Sequence, residues 1–266
     1  MKPRAFPADR VLRIVLPIAA LVLGVVAWQL VVTIYALPPI KLPGPDLVWD
    51  TLIDDRKLLL QSLGVTLLTT LEGFLLAVVG GIALAILFNV SRTVEYTLYP
   101  YAVILQVTPV LAIAPLLLIY LPQQGAVLAC AWIVAFFPVL ANTTLGLNSV
   151  DRNLLDLYRL YGASPGQILF RLKLPSALPN MLTGIRIAGG LSLVGAVVAE
   201  LAAGSGGAGS GLAYRIAESQ YRLNISRMFA ALLLLSAAGV VIFFALSALS
   251  HLLLRRWHES ALTGER

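Results

Sequence analysis

The stretch Leu63–Asn89 reads LGVTLLTTLEGFLLAVVGGIALAILFN and holds one ionisable residue, Glu72. It exceeds the ~20 apolar residues that carry a helix across a bilayer. Lipid offers no partner for backbone N–H and C=O groups, so such a crossing is helical. Five further segments read the same way: Val11–Tyr35, Val94–Tyr120, Gly125–Leu147, Leu178–Ala202 and Met228–Leu254. Composition agrees. Of 266 residues, 59% are hydrophobic and 12% charged, whereas a soluble domain carries about 25% charged residues. There is too little polar surface to coat a water-facing globule. The expected fold is all-α, a polytopic membrane protein with six transmembrane helices.

Charge sets the expected orientation. The basic start, Met1–Arg13, leads into an apolar run too long for the core of a signal peptide, so it reads as an uncleaved first span. With that end inside, the inner segments carry Lys2, Arg4, Arg10 and Arg13, then Arg92, then Arg152, Arg159, Arg171 and Lys173, then Arg255 and Arg256. The outer segments carry Lys41, Arg56 and Lys57, then Arg215, Arg222 and Arg227. The inside holds the excess, as the positive-inside rule asks, and both termini fall in the cytoplasm. The chain divides into residues 1–62 (tail, first span and external loop), a core at 63–254 and a cytoplasmic tail at 255–266. The net charge of +6 belongs to inner loops beside the lipid bilayer, and no nucleic-acid partner is expected.

The loops differ in kind. Residues 36–62 hold Pro38, Pro39, Pro43 and Pro45, so an extended crossing is expected, followed by a short helix around Pro45–Lys57. The glycine-rich loop at 203–211 reads as external and adaptable. Its Gly204–Gly209 portion fits G-x-G-x-x-G but follows a span, not a strand, and lacks the Lys-Ser/Thr of a phosphate-binding loop. Cys130 is alone, and His251 and His258 have no partner at metal-ligand spacing. No catalytic residue, metal or cofactor is expected on this chain.

The longest inner connection, Asn148–Pro175, is the informative one. Asp151 stands where an N-cap belongs, before a helix that runs to about Tyr161. Gly162 follows at the C′ position. Ser164, Pro165 and Gln167 then give an N-cap, a first-turn proline and a capping-box partner. Pro175 is expected to end this second helix, and Pro179 to start or kink the fifth span. A connection so structured suits presenting a helix to another protein.

Its residues carry a resemblance. Asp156-Leu157-Tyr158-Arg159-Leu160-Tyr161-Gly162-Ala163-Ser164, followed by Leu172-Lys173-Leu174-Pro175, resembles the EAA loop of bacterial ABC importer permeases. The glycine and Leu-Pro spacing matches, while Asp156 stands for the family's Glu and Leu157-Tyr158 for its Ala-Ala. Gly73–Ala77, Thr108–Pro115 and Ala199–Leu201 are similar to the branch serving nitrate, sulfonate, taurine and bicarbonate. Phe136–Thr143 and Val194–Glu200 resemble permeases for thiamine-precursor pyrimidines and similar heterocycles.

The resemblance implies a type I ABC importer permease in the bacterial inner membrane that works with a second permease copy, two cytoplasmic ATPase subunits and an extracytoplasmic solute-binding protein. ATP and Mg would sit on the ATPase. The coupling residues would be Asp156, Leu157, Tyr158, Arg159, Gly162, Ala163 and Ser164. Within the spans, ionisable groups are functional candidates because charge in lipid is costly. Glu72 and Glu200 therefore join Gln106, Thr108 and Asn142 as candidates for the translocation pathway. Pro109 and Pro115 should distort the third span and free carbonyls beside Gln106 and Thr108. The rival reading, an ion-driven secondary transporter, would show two related halves and buried coupling carboxylates. No repeat is evident, and Glu72 alone speaks for it.

Overall fold

The computed structural model describes residues 7–204 and 209–254, and every regular element within them is helical. The tail at 255–266, with Arg255, Arg256 and His258, lies outside the described residues, as do Lys2, Arg4 and the middle of the glycine-rich loop. Helix α1 spans Pro7–Ile34, α2 Pro45–Asp54 and α3 Arg56–Val90. Gly44 in extended geometry and Pro45 in the first turn start α2 where the sequence placed a short helix. Helix α3 begins at Arg56, ahead of the second apolar segment expected from Leu63.

The third apolar segment is not one continuous crossing. It divides into α4 (Arg92–Val107) and α5 (Val110–Tyr120), whose axes differ by 102°. Pro109 has no N–H for the Leu105 carbonyl and drives Thr108 into extended backbone, with φ −73° and ψ 124°. Pro100 and Pro115 lie inside α4 and α5. Helix α6 follows at Gln123–Asn148. Among the described residues, five helices have the length and apolarity of a span, or six if the bent pair is one span.

After α6 come α7 (Arg152–Leu160) and α8 (Pro165–Ile168), then a π-helical turn, Leu169–Lys173, that leads into α9 (Leu174–Ala203). The expectation that Pro175 ends a helix is corrected. Helical backbone runs without interruption from Pro165 to Ala203. The Leu174 N–H reaches back to Leu169 in the wider turn, which carries the chain past the missing donor of Pro175. Helix α10 (Leu212–Tyr221) was not foreseen, and α11 (Ile225–Leu254) completes the chain.

The chain forms two units. Residues up to Leu59 and Arg215–Leu233 make the smaller one. There Arg227 grips the Asp55 carboxylate through Nε (2.5 Å) and Nη2 (3.0 Å), and Trp28 packs on Phe229 with ring centroids 5.6 Å apart. The larger unit, Leu60–Tyr214 with the rest of α11, centres on α6. A methyl group on Gly195 would come within 2.6 Å of the Cys130 carbonyl, and one on Gly184 within 2.7 Å of the Pro138 carbonyl. The backbones of α6 and α9 therefore meet directly, as small residues permit in membrane packing. Gly73 and Gly81 on α3 make the same approach to Ala131 and Val139. Gly81 and Gly189 also meet neighbours closely, whereas Gly190 faces open space.

Candidate functional site

The loop after α6 is built as a stiff, exposed bracket. Asp151 Oδ1 accepts from the Asn153 N–H at 2.8 Å and caps α7. At the other end the Gly162 N–H donates to Arg159 (2.9 Å) and the Ala163 N–H to Tyr158 (3.0 Å), a complete Schellman closure. Gly162 takes φ +70°, a left-handed value that suits glycine. The capping box forms as the residues suggested: the Ser164 N–H donates to Gln167 Oε1 (2.8 Å) and the Gln167 N–H to Ser164 Oγ (3.3 Å).

Little packing holds α7, since none of its residues is buried. Leu154 and Leu157 are nearly half exposed, and Leu160 and Tyr161 are each 82% exposed. Only Leu155 and Tyr158 turn partly inward. The other residues of the EAA-like run, Asp156, Arg159, Gly162 and Ser164, are exposed, with Ala163 half-buried. The Asp156–Arg159 ion pair (3.3 Å) is open to water and adds little. A groove of about 530 Å³ runs beneath the bracket, lined by Leu155, Arg159, Ala163 and Pro165 and floored by Asn89 and Lys173.

The bracket is fixed at its base by residues that sequence reading missed. Lys173 Nζ donates to Asn89 Oδ1 (2.9 Å), and Asn89 Nδ2 donates to Asn148 Oδ1 (3.1 Å). These bonds tie the π-helical turn to the ends of α3 and α6. No local signal links Asn89 to Lys173 across 84 positions.

A second feature lies at the α4–α5 break. A cavity of about 300 Å³ is lined by Gln106, Thr108, Val110, Phe137, Pro138 and Leu191, among others. Gln106 is exposed, and the Thr108 hydroxyl donates to the Ile104 carbonyl at 2.6 Å. Two of the pathway candidates therefore share one cavity, halfway along α6. Asn142 lies one turn from Pro138 and donates to its carbonyl (2.8 Å).

The other two candidates lie elsewhere. Glu72 is exposed on the outer face of α3, amid Leu68, Leu71, Leu75 and Leu76. Glu200, the other pathway candidate, is buried to 3% exposure. Its carboxylate accepts from the Thr66 hydroxyl (2.8 Å) and the Ala213 N–H (3.0 Å).

Comparison with known proteins agrees with this architecture. Residues 77–257 match the family described as binding-protein-dependent transport system inner membrane component. A probable ABC transporter permease protein of Haemophilus influenzae is 33% identical, covering 90% of this chain and 97% of its own. The formylaminopyrimidine transport permease protein ThiX of Halalkalibacterium halodurans is 34% identical, covering 81% of this chain and 86% of its own. Further relatives are named for riboflavin, aliphatic sulfonates and bicarbonate. Among solved structures, that of an amino acid ABC transporter with histidines overlays with a TM-score of 0.63, at 20% identity, over 77% of this chain and 97% of that one. This likeness speaks for the fold.

Proposed function

Because the chain belongs to the binding-protein-dependent transport system inner membrane components, a family of ABC transporter permeases, we propose that two copies of it form the solute pathway of an importer driven by two separate cytoplasmic ATPase subunits. The observation that carries the coupling role is the bracket at Ser149–Ser164. It is capped at both ends, shows apolar residues outward and continues into the helical run Pro165–Ala203. A nine-residue helix with no buried side chain gains little from its own chain. Its exposed Leu154, Leu157 and Leu160 suit a hydrophobic groove on a partner, which is how amphipathic helices dock.

In this reading the loop and both termini lie in the cytoplasm, which the positive-inside bias of the loops supports, and an extracytoplasmic binding protein delivers solute to the opposite end. The solute passes the cavity at the α4–α5 break. Broken helices leave backbone groups unpaired where they line a site, and here the Leu105 carbonyl loses its usual donor to Pro109. Gln106 and Thr108 add side-chain hydrogen bonding, with Asn142 nearby. Glu72, costly in lipid, faces the second copy. The solute is small and polar. A pyrimidine or similar heterocycle suits the resemblance to the ThiX protein, beside which nitrate, sulfonates, taurine and bicarbonate remain the class served by the wider branch.

The test is cross-linking. With a cysteine at Leu157 and a short cross-linker, a co-expressed candidate ATPase subunit should be captured in membranes. Asp156→Lys should reduce that capture by opposing charge. A Leu157 cysteine that never captures the ATPase sinks the coupling assignment.

A further inference from the structure

Glu200 lies at the end of α9 farthest from the bracket. Twenty-seven residues of helix separate it from Lys173, about 40 Å at 1.5 Å per residue. Its carboxylate and the Thr66 hydroxyl form a closed hydrogen-bond set around the start of α10. The Leu212 N–H donates to Thr66 Oγ1 (2.8 Å), the Ala213 N–H donates to Glu200 Oε2 (3.0 Å), and Thr66 Oγ1 donates to the carboxylate (2.8 Å to Oε1). Thr66, Leu212 and Ala213 are fully buried. The first N–H groups of a helix have no partner within it, so this set satisfies two donors that would otherwise be buried unpaired.

The fit depends on the residue before the helix. Gly211 packs against the carboxylate so closely that any Cβ would overlap it. The chain thus leaves the glycine-rich segment, passes the carboxylate on a glycine and starts α10 on the carboxylate itself. Charge on Glu200 is not what this geometry requires. It requires acceptors at two points and a tolerant neighbour, Thr66, whose hydroxyl also has the Ser62 carbonyl within reach (3.3 Å).

We propose that Glu200 is a positioning residue that clamps the start of α10 to α9 and α3, so that a displacement begun at the Asn148–Pro175 loop reaches the other end of the permease. The clamp turns α9 into a lever with both ends engaged. At one end the Lys173–Asn89 bond fixes the π-helical turn, and at the other Glu200 holds α10. The transmission role rests on the permease reading above, whereas the clamp itself does not.

The clamp is tested by spin labels at Leu201 on α9 and Tyr214 on α10, both in the larger unit, with distances measured in the permease–ATPase complex in nanodiscs, with and without ATP. Wild type should give one narrow distribution in both states. Glu200→Ala removes the acceptor, and Gly211→Ala displaces it with the carboxylate still present. Each should raise the population with α10 released by at least about tenfold, because buried donors lose their partners. Glu200→Gln should retain the narrow distribution, since its carbonyl can accept from Ala213 and its amide can donate to Thr66, which turns to Ser62. ATP hydrolysis should stay within about twofold of wild type in all three, because the bracket is untouched. An unchanged distribution in both alanine variants overturns the clamp, and so does Glu200→Gln behaving like Glu200→Ala, which would make charge the working property. If no ATPase joins the wild-type chain, the permease reading fails instead, and the distances in the permease alone still decide the clamp.

Discussion

Replacing Gly162 by alanine perturbs one backbone angle at the end of α7. Gly162 sits at φ +70°, with nothing near enough to obstruct an added methyl group. The cost is therefore conformational and not steric crowding, about 1 kcal/mol for an L-residue in the left-handed region. That sum matters more here than in a packed helix. Helix α7 has nine residues and buries none, and helices shorter than about 12 residues are marginal alone. A loss of about 1 kcal/mol shifts the ordered fraction roughly fivefold. Hydrogen exchange reads this directly at the Gly162 and Ala163 amides, which donate to Arg159 and Tyr158. Exchange there should quicken roughly fivefold in Gly162→Ala, and ATPase affinity should weaken by a similar factor, because the partner must then order the helix. Gly162→Asn should lie between wild type and alanine, since asparagine tolerates this region. Wild-type exchange and wild-type affinity in Gly162→Ala would mean that the left-handed Gly162 does not hold α7 in order. Faster exchange with unchanged affinity would show that the partner reads something other than the capped helix.

Three further outcomes are expected. Lys173→Met removes a charge-assisted bond to Asn89 and should destabilise the detergent-solubilised protein by about 1–2 kcal/mol, read as a lower unfolding temperature. A double-mutant cycle on Asp55 and Arg227, each 22% exposed and joined through two bonds, should give a coupling of about 1–3 kcal/mol, and exchanging the two residues should recover part of the loss. Gly195→Ala forces a methyl group against the Cys130 carbonyl and should cost about 1–3 kcal/mol in thermal unfolding, whereas Gly190→Ala, facing open space, should leave that transition where it is.

Much of this was legible in the residues because it is local. A bilayer demands helices, so the apolar runs located the five long helices and the bent pair between α3 and α6. Caps are short-range devices, and Asp151, Gly162 and the Ser164–Gln167 pair formed as their spacing implied. Prolines were harder. Pro109 breaks its helix by 102°, while Pro175 is absorbed in a π-helical turn and Pro115 and Pro138 remain within α5 and α6. Each lacks the same donor, and what surrounds it decides between break and accommodation. Helix α10 was missed because its capping acceptors come from Thr66 and Glu200, the first of them 146 positions from Leu212. For the same reason the burial of Glu200 could not be read from its neighbours in sequence. The ion-driven rival loses its attraction with the family match, and no observation favours it.

Under the proposed function, the Ser149–Ser164 bracket joins this permease to a separate ATPase. Native mass spectrometry of the chain co-expressed with its ATPase, released from nanodiscs, tests it most directly. A particle with two permease copies and two ATPase subunits is expected, and a bare permease pair when Gly162→Pro breaks the bracket while expression holds. A wild-type chain that carries no ATPase, or a Gly162→Pro variant that retains both, would contradict it.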